Sequence, residues 1–318
     1  MKIYAAHTGD HSIDASGSRG IGGSAVGAMY GVNKFKSPYA LWAELTGLVS
    51  DEFEGNEATR IGQDLERPIL ERYAKDTEKA IVVPHFTLVH PEHEFMLGNV
   101  DAFEVFACSA YPAGTVTDVH DLEFNPIAII EVKTTGLATQ GNARAWADGQ
   151  VPTSYEFQGM HYCAITNLSE VQFVALIGGQ GLQIRERHYN SDQIAKLIED
   201  ETAFWELVKS KEPPELDESD STKEALDKRF PEEEKGTTVE ADTFTLDALS
   251  MYESARQAEK DAKQEVNYWR NTLVNQIGDA EALTVNGNVV ATYKTVTKAE
   301  YVVKAQSSRV LSLKKGNK

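Results

Sequence analysis

Cysteine is nearly absent from this chain: Cys108 and Cys163 are the only two in 318 residues. Two thiols support neither a disulfide framework nor a four-thiolate metal site. With no redox motif around them, both are expected to be packing residues. Long apolar runs are missing as well. No stretch approaches the ~20 apolar residues of a membrane span. The opening MKIYAAHTGDHSID lacks an apolar segment of signal-peptide length, so a cytoplasmic location without a membrane partner is expected. No serine sits in a G-x-S-x-G elbow, which leaves Ser-His-Asp catalysis unsupported. Basic charge is also scarce. There are 31 Lys and Arg against 49 Asp and Glu, a net charge of −18 that, taken over the whole chain, argues against a nucleic-acid partner.

What is present is ordinary globular composition, 41% hydrophobic and 25% charged, with an uneven distribution of charge. Residues 212–247 hold 13 acids and 4 bases, half of the net charge, whereas residues 248–318 hold 7 acids and 11 bases. The net charge therefore describes no single surface. EPPELDESDSTKEALDKRFPEEEKG (212–236) combines Pro, Ser and acid with almost no aliphatic surface and reads as a linker. The expected organisation is a core at 1–211, an acidic linker at 212–247 and a terminal region at 248–318. In the last, Ala255, Ala258, Ala262, Val266, Trp269, Leu273 and Ile277 recur three or four apart, one stripe on a long helix. Gly278 ends that helix, and ALTVNGNVVATYKTV reads as a hairpin around Asn286-Gly287.

In the core, Ser37-Pro38 marks a helix start and Thr46-Gly47 its end. A second helix runs from about Glu57 to Lys75, with Ile61, Leu65, Ile69 and Tyr73 as its buried face. Strands are expected in AIVVPHFTLV, FMLGNVDAFEVF, PIAIIEVKTT and VQFVALI, with a helix near 154–166 and an insertion loop at 107–125. This order predicts an α/β fold with a mixed sheet.

The chemistry starts at Ile130-Glu131-Val132-Lys133. Strand alternation puts Glu131 and Lys133 on one face, after the continuous apolar run PIAII of a strand buried on both faces. Alone, Glu-x-Lys is as well read as a strand-end ion pair contributing under about 1 kcal/mol. Asp101 in Gly98-Asn99-Val100-Asp101 and Glu66 on the preceding helix add two carboxylates from other elements. Hard oxygen ligands suit Mg²⁺, or Mn²⁺ in its place, and with Lys133 they suit hydrolysis of a phosphodiester.

The pattern of helix Glu, strand Asp and Glu-x-Lys resembles the PD-(D/E)xK nuclease superfamily. More narrowly, it resembles the YqaJ-type viral recombinases related to the lambda exonuclease. The matching segments are Arg19-Gly-Ile-Gly-Gly-Ser24, Lys36-Ser-Pro-Tyr39 with Leu41-Trp42, and Gly62-x-x-Leu65-Glu66. They continue with Gly98-Asn-Val-Asp101, Glu131-Val-Lys133, and Val151-Pro152 through Tyr155 to Gln158-x-x-His161-Tyr162. The resemblance implies a restriction-endonuclease-like core with a mixed central sheet flanked by helices, followed here by the long helix and hairpin. It implies that Asp101, Glu131 and the Val132 carbonyl hold Mg²⁺, that Lys133 serves the attacking water, and that Glu66 holds a second ion or its water. Arg19, Ser24 and Gln158 match positions that recognise the 5′-phosphate of a DNA end, and Tyr162 either packs in the core or touches DNA. The implied activity is 5′→3′ digestion of linear double-stranded DNA, leaving 3′ single strands for an annealing recombinase. If the gene is a phage's, the compartment is the bacterial host's cytoplasm. Relatives can form a trimeric ring, and the sequence leaves this open here. An endonuclease or single-strand nuclease on the same core, and a non-cutting DNA-end-binding module, are the alternatives. Two departures stand out: Ala25 follows Ser24 where the family often has Asp, and the Asp101-to-Glu131 gap is long.

Other signals are weaker. Gly20-Ile-Gly-Gly-Ser-Ala25 fits a dinucleotide fingerprint but follows the polar, turn-forming SIDASGSR instead of a buried strand. His85, His90 and His93 lack metal-ligand spacing and read as a solvated strand-end cluster. His161 reads as a satisfied structural histidine. Lys294, Lys298, Lys304, Arg309, Lys314 and Lys315, interleaved with Tyr293 and Tyr301, read equally as a phosphate-tracking surface or a solvated tail.

Overall fold

A computed structural model describes residues 2–6, 20–50, 55–136, 140–298, 309 and 311–312. In chain order the elements are β1 (Lys2–Ala6), β2 (Ile21–Gly22), α1 (Gly23–Met29), α2 (Pro38–Leu45), α3 (Glu57–Thr77), β3 (Ala80–Pro84), β4 (Phe86–Val89), β5 (Met96–Gly98), β6 (Ala102–Val105) and β7 (Val116–Val119). They continue with β8 (Pro126–Thr135), α4 (Gln140–Ala147), α5 (Thr153–Thr166), β9 (Glu170–Ile177), β10 (Leu182–His188), α6 (Ser191–Ser210) and α7 (Asp220–Arg229). The last three are α8 (Thr243–Ile277), β11 (Ala282–Val285) and β12 (Asn288–Thr292). The chain divides into two units, Met1–Pro231 and Glu232–Lys318.

The first unit is built on a mixed six-stranded sheet of order β10-β9-β8-β6-β3-β7. Its central strand β8 pairs parallel with β9 and antiparallel with β6. Each face of β8 enters a different core. Ile130 and Val132 pack with Ile69, Leu70 and Tyr73 of α3, whereas Ile129 joins Phe103, Phe173, Cys163 and Ile165 on the α5 side. Burial on both faces is why PIAII carries no polar alternation. A smaller sheet of order β1-β4-β5-β2 presents Leu88 and Met96 to the same core as α5.

Several expectations are corrected. FMLGNVDAFEVF forms two strands in different sheets, and Asp101 lies in the break between them. The stretch 107–125 is not wholly loop: β7 extends the sheet edge by pairing parallel with β3, and Phe124 packs on Phe103 with ring centroids 5.6 Å apart. Ile61 is exposed on the first turns of α3, where Thr59, Gly62, Gln63 and Glu66 line a cleft instead of packing on the sheet. Part of the expected linker is helix α7, which packs on α2: the Thr222 hydroxyl donates to Ser37 Oγ at 2.7 Å, and Arg229 donates to the Tyr39 hydroxyl at 2.7 Å. Thr222 and Ala225 supply a small buried face that a count of aliphatics overlooks. Cys163 is buried as expected, but Cys108 is exposed.

In the second unit, Asp242 caps α8 by accepting from the Thr245 amide at 2.8 Å, and Gly278 closes it. Asn286 and Gly287 both take positive φ, 51° and 80°, the pair of left-handed residues that a two-residue I′ hairpin turn needs. Val266, Trp269, Leu273 and Ile277 of the stripe line a groove of about 670 Å³ together with Ala291 and Tyr293. Lys294 is ion-paired with Glu281. Of the other basic-tail residues, Tyr301, Lys304, Lys314 and Lys315 lie outside the described residues.

Candidate active site

The β6–β8 ladder ends at the pair Ala102↔Ile130, so the next inward amide of β8, that of Val132, has no strand partner on that side. It donates instead to Asp101 Oδ2 at 2.7 Å. The break before β6 thus converts a ladder position into a side-chain anchor and sets Asp101 beside the Glu-x-Lys segment. Here Glu66, Asp101, Glu131, Val132, Lys133, Gln158, Tyr162 and Ser24 line one cleft of about 290 Å³, with Gly23, Thr59, Gly62, Gln63, Asn99 and Thr134. Residues spread across more than 130 positions of sequence converge on it. Arg19 lies outside the described residues.

Glu131 is only 1% exposed. Its Oε1 accepts from Lys133 Nζ at 2.5 Å and from the Gln158 amide at 2.7 Å, while its buried Oε2 has no hydrogen-bond partner. Lys133 also donates to Gln158 Oε1 at 3.0 Å, and its ammonium lies 4.7 Å from the centre of the Tyr155 ring. Gln158 therefore clasps both charged groups as well as bordering the cleft. Tyr162 is buried: its hydroxyl donates to the Asn99 carbonyl at 2.9 Å and accepts from Gln158 at 3.1 Å. A Cβ at position 23 would come within 2.5 Å of the Tyr162 ring, so the glycine there lets α1 start against α5. Ser24 stands exposed in the first turn of α1, at the cleft.

The electrostatics are those of surplus acid. Burial, then the neighbouring Asp101 charge, raises Glu131 to about 8 against the opposing pull of Lys133. Burial and Asp101 likewise raise Glu66 to about 7. Burial alone lowers the Lys133 pKa, but Glu131 and Asp101 outweigh it and hold the ammonium charged. A divalent cation fits these residues: the donors are hard oxygens, one of them is a buried carboxylate oxygen without a partner, and the acids repel one another. The three acids ring the cleft and do not meet at one point. The tight cluster among the described residues is elsewhere, where Glu170, Glu186 and His188 of the β9–β10 ribbon bring ligand atoms within 4.8 Å of one another. Gln172 already bridges those two carboxylates, donating at 2.7 and 2.9 Å.

Thr59 and Gln63 were not singled out in the sequence. Their signal is helical spacing, since 59, 62, 63 and 66 share the face of α3 that carries Glu66. The histidines divide. His90 is buried, its pKa lowered to about 4 by burial and then by His93, and its Nδ1 accepts from the amides of Glu92 and His93. It is thus a loop-closing acceptor and not a solvated group. His161 is fully buried and hydrogen-bonded on both ring nitrogens.

A mixed sheet thus brings Asp101, Glu131 and Lys133 to one cleft with Glu66 of α3. Residues 17–169 match the YqaJ-like viral recombinase domain. The chain is 27% identical over 281 residues to the uncharacterized protein YqaJ of Bacillus subtilis (strain 168), spanning 87% of this chain and 81% of that protein. Among solved structures it is similar to an alkaline exonuclease from Laribacter hongkongensis at 18% identity and TM-score 0.47, covering 60% of this chain and 89% of that one. It is also similar to a phage-related exonuclease from Haemophilus somnus 129PT at 14% identity and TM-score 0.40, covering 61% and 95%. No described helix is long and apolar enough to cross a membrane.

Proposed function

We propose that the protein is a Mg²⁺-dependent deoxyribonuclease, with Mn²⁺ as a substitute, that digests linear duplex DNA from its ends in the 5′→3′ direction. The observation that carries this is the surplus of acid around Lys133: Glu131, only 1% exposed, keeps one carboxylate oxygen unpartnered beside Asp101 and Glu66. Asp101, Glu131 and the Val132 carbonyl are the groups to hold the ion, with Glu66 for a second ion or a water. When bound, the ion supplies positive charge to a phosphodiester and acidifies water. Lys133, held charged and oriented by Glu131 and Gln158, donates hydrogen bonds toward the attacking water and the charge that develops on the phosphate. Ser24 at the cleft, with Arg19, is assigned to a 5′-phosphate, for which a hydroxyl and a guanidinium fork are suited donors. The acidic composition is compatible with DNA if positive potential is confined to the path of the strand. The resulting 3′ single strand is the substrate of a strand-annealing recombinase, and a core at 1–211 carries the reaction.

The test is digestion of 5′-phosphorylated linear duplex with Mg²⁺ by the wild type, Asp101→Ala and Lys133→Ala. Loss in both variants supports the roles, and equal activity in all three overturns them. Covalently closed circles should remain intact, and their cleavage would replace the exonuclease with an endonuclease on the same residues. Solution mass measures whether the active form is a ring of three.

A further inference from the structure

His161 sits on α5 one residue before Tyr162 and is 0% exposed. Its Nε2 lies 2.9 Å from the carbonyl oxygen of Leu97, and its Nδ1 lies 2.8 Å from Oε1 of Glu201 on α6, itself 0% exposed. A carbonyl oxygen can only accept, so the Nε2 proton is fixed in place by Leu97. The carboxylate then faces the other nitrogen. Burial pulls the His161 pKa down, but the charge of Glu201, its hydrogen bond and the Leu97 carbonyl outweigh this and raise it, favouring imidazolium against carboxylate.

The position of Leu97 gives the pair a role beyond joining two helices. Leu97 lies in β5, and the chain runs from it through Gly98, Asn99 and Val100 to Asp101. That short segment is held at every second residue. His161 binds the Leu97 carbonyl, Tyr162 binds the Asn99 carbonyl at 2.9 Å, Thr87 donates to Asn99 Oδ1 at 2.8 Å, and the Val132 amide binds the Asp101 carboxylate at 2.7 Å. Two consecutive side chains of α5 thus hold the carbonyls at the two ends of one dipeptide step, Leu97 and Asn99. We infer that His161, held by Glu201, is a positioning residue for the metal centre: its grip on the Leu97 carbonyl fixes the Gly98–Val100 segment and so the placement of the Asp101 carboxylate. This rests on Asp101 being a ligand of a divalent ion. Outer groups that orient ligands commonly change metal affinity by about 10- to 100-fold when removed.

The test uses the full chain and Mn²⁺ as the probe, with binding read by calorimetry and amide hydrogen exchange read over residues 97–101. His161→Met with Glu201→Leu removes both charges at similar volume, so neither is left buried alone. His161→Asn with Glu201→Gln is a polar alternative should the first pair of substitutions not fold. Glu201→Gln alone keeps a neutral imidazole with its Nε2 proton on Leu97. In whichever double variant keeps a cooperative thermal transition, the Mn²⁺ dissociation constant should rise about tenfold and exchange over 98–101 should quicken, while E201Q stays near the wild type. Unchanged affinity and exchange in the double variant would overturn the inference and leave the pair as a staple between α5 and α6. A loss in E201Q equal to that of the double variant would overturn it too, because the Leu97 contact would not be what sets affinity. If the wild type binds Mn²⁺ no better than Asp101→Asn, the metal reading itself falls, a result distinct from the other two.

Discussion

Two buried ion pairs flank helix α5, and they differ in whether their charges balance. On one side His161 meets Glu201, one cation to one anion, both fully buried. On the other, Lys133 meets Glu131, but Asp101 and Glu66 stand in the same cleft, and the cleft is open to solvent. A balanced pair cancels its own charge and can serve as scaffolding, although Glu201 Oε2, like Glu131 Oε2, is buried without a hydrogen-bond partner. An unbalanced one is costly to keep buried, and in the proposed reading a divalent cation completes it. The same helix thus carries a closed charge relation next to an open one, and the closed one holds the strand that feeds the open one.

The largest expected effect separates them chemically. Asp101→Ala and Lys133→Ala should each lower the rate of cleavage of linear duplex by about a thousandfold while thermal unfolding stays cooperative. If either variant keeps full activity, the open cluster is not the reacting centre. Next in size is a substitution that unbalances the balanced pair. His161→Leu leaves Glu201 buried without a counter-charge and should cost about 3–5 kcal/mol by denaturant unfolding, whereas His161→Met with Glu201→Leu should recover most of that. Equal losses in the single and double variants would mean that charge balance is not what matters there.

The open cluster should also reveal itself through pH. Glu66 and Glu131 have folded-state pKa values raised to about 7 and about 8, above their usual 4.5. Between these limits the folded protein holds more protons than the unfolded chain, so stability is fully present at acid pH and is lost as pH rises through 7 to 8. Metal-free protein should therefore show a melting temperature that falls from pH 5 to pH 8. Excess Mg²⁺ should flatten that slope, and a slope indifferent to the ion would dissociate the acids from metal binding. The smallest effect is a control outside both pairs. Gly287→Ala strains a residue with φ of 80° in the β11–β12 turn and should weaken that hairpin by about 1 kcal/mol, seen as faster amide exchange there, with cleavage unchanged.

Local patterns were readable where a segment answers to its own chemistry. PIAIIEVKTT forms β8 over the full Pro126–Thr135, Asn286-Gly287 makes its turn, and Ser37 caps α2 by accepting from the Ala40 amide at 3.1 Å. The cleft was legible through residue types that only a charged site needs, Glu66, Asp101, Glu131 and Lys133. What was missed depends on packing across distance. Glu201 shares the buried face of α6 with Leu197, Phe204 and Val208, and an acid in such a stripe signals a buried partner, but nothing in the sequence says that the partner is His161. The family position of Gln158 implies a phosphate contact, and only the fold shows it bound to Glu131 and Lys133.

Covalent order and side-chain chemistry alone determined the elements with strong periodicity, the turn and cap residues, and the surplus of acid. Those are properties of neighbours within a few residues, where backbone geometry and hydrophobic spacing act directly. The tertiary structure alone decided that the β6–β8 ladder stops at Ile130 and frees the Val132 amide for Asp101. It alone decided that His161 reaches Leu97 and Glu201, and that α7 packs on α2. Each of these is a contact between groups far apart in the chain, and such contacts are selected by the shared burial of whole faces, a quantity no short stretch of sequence contains.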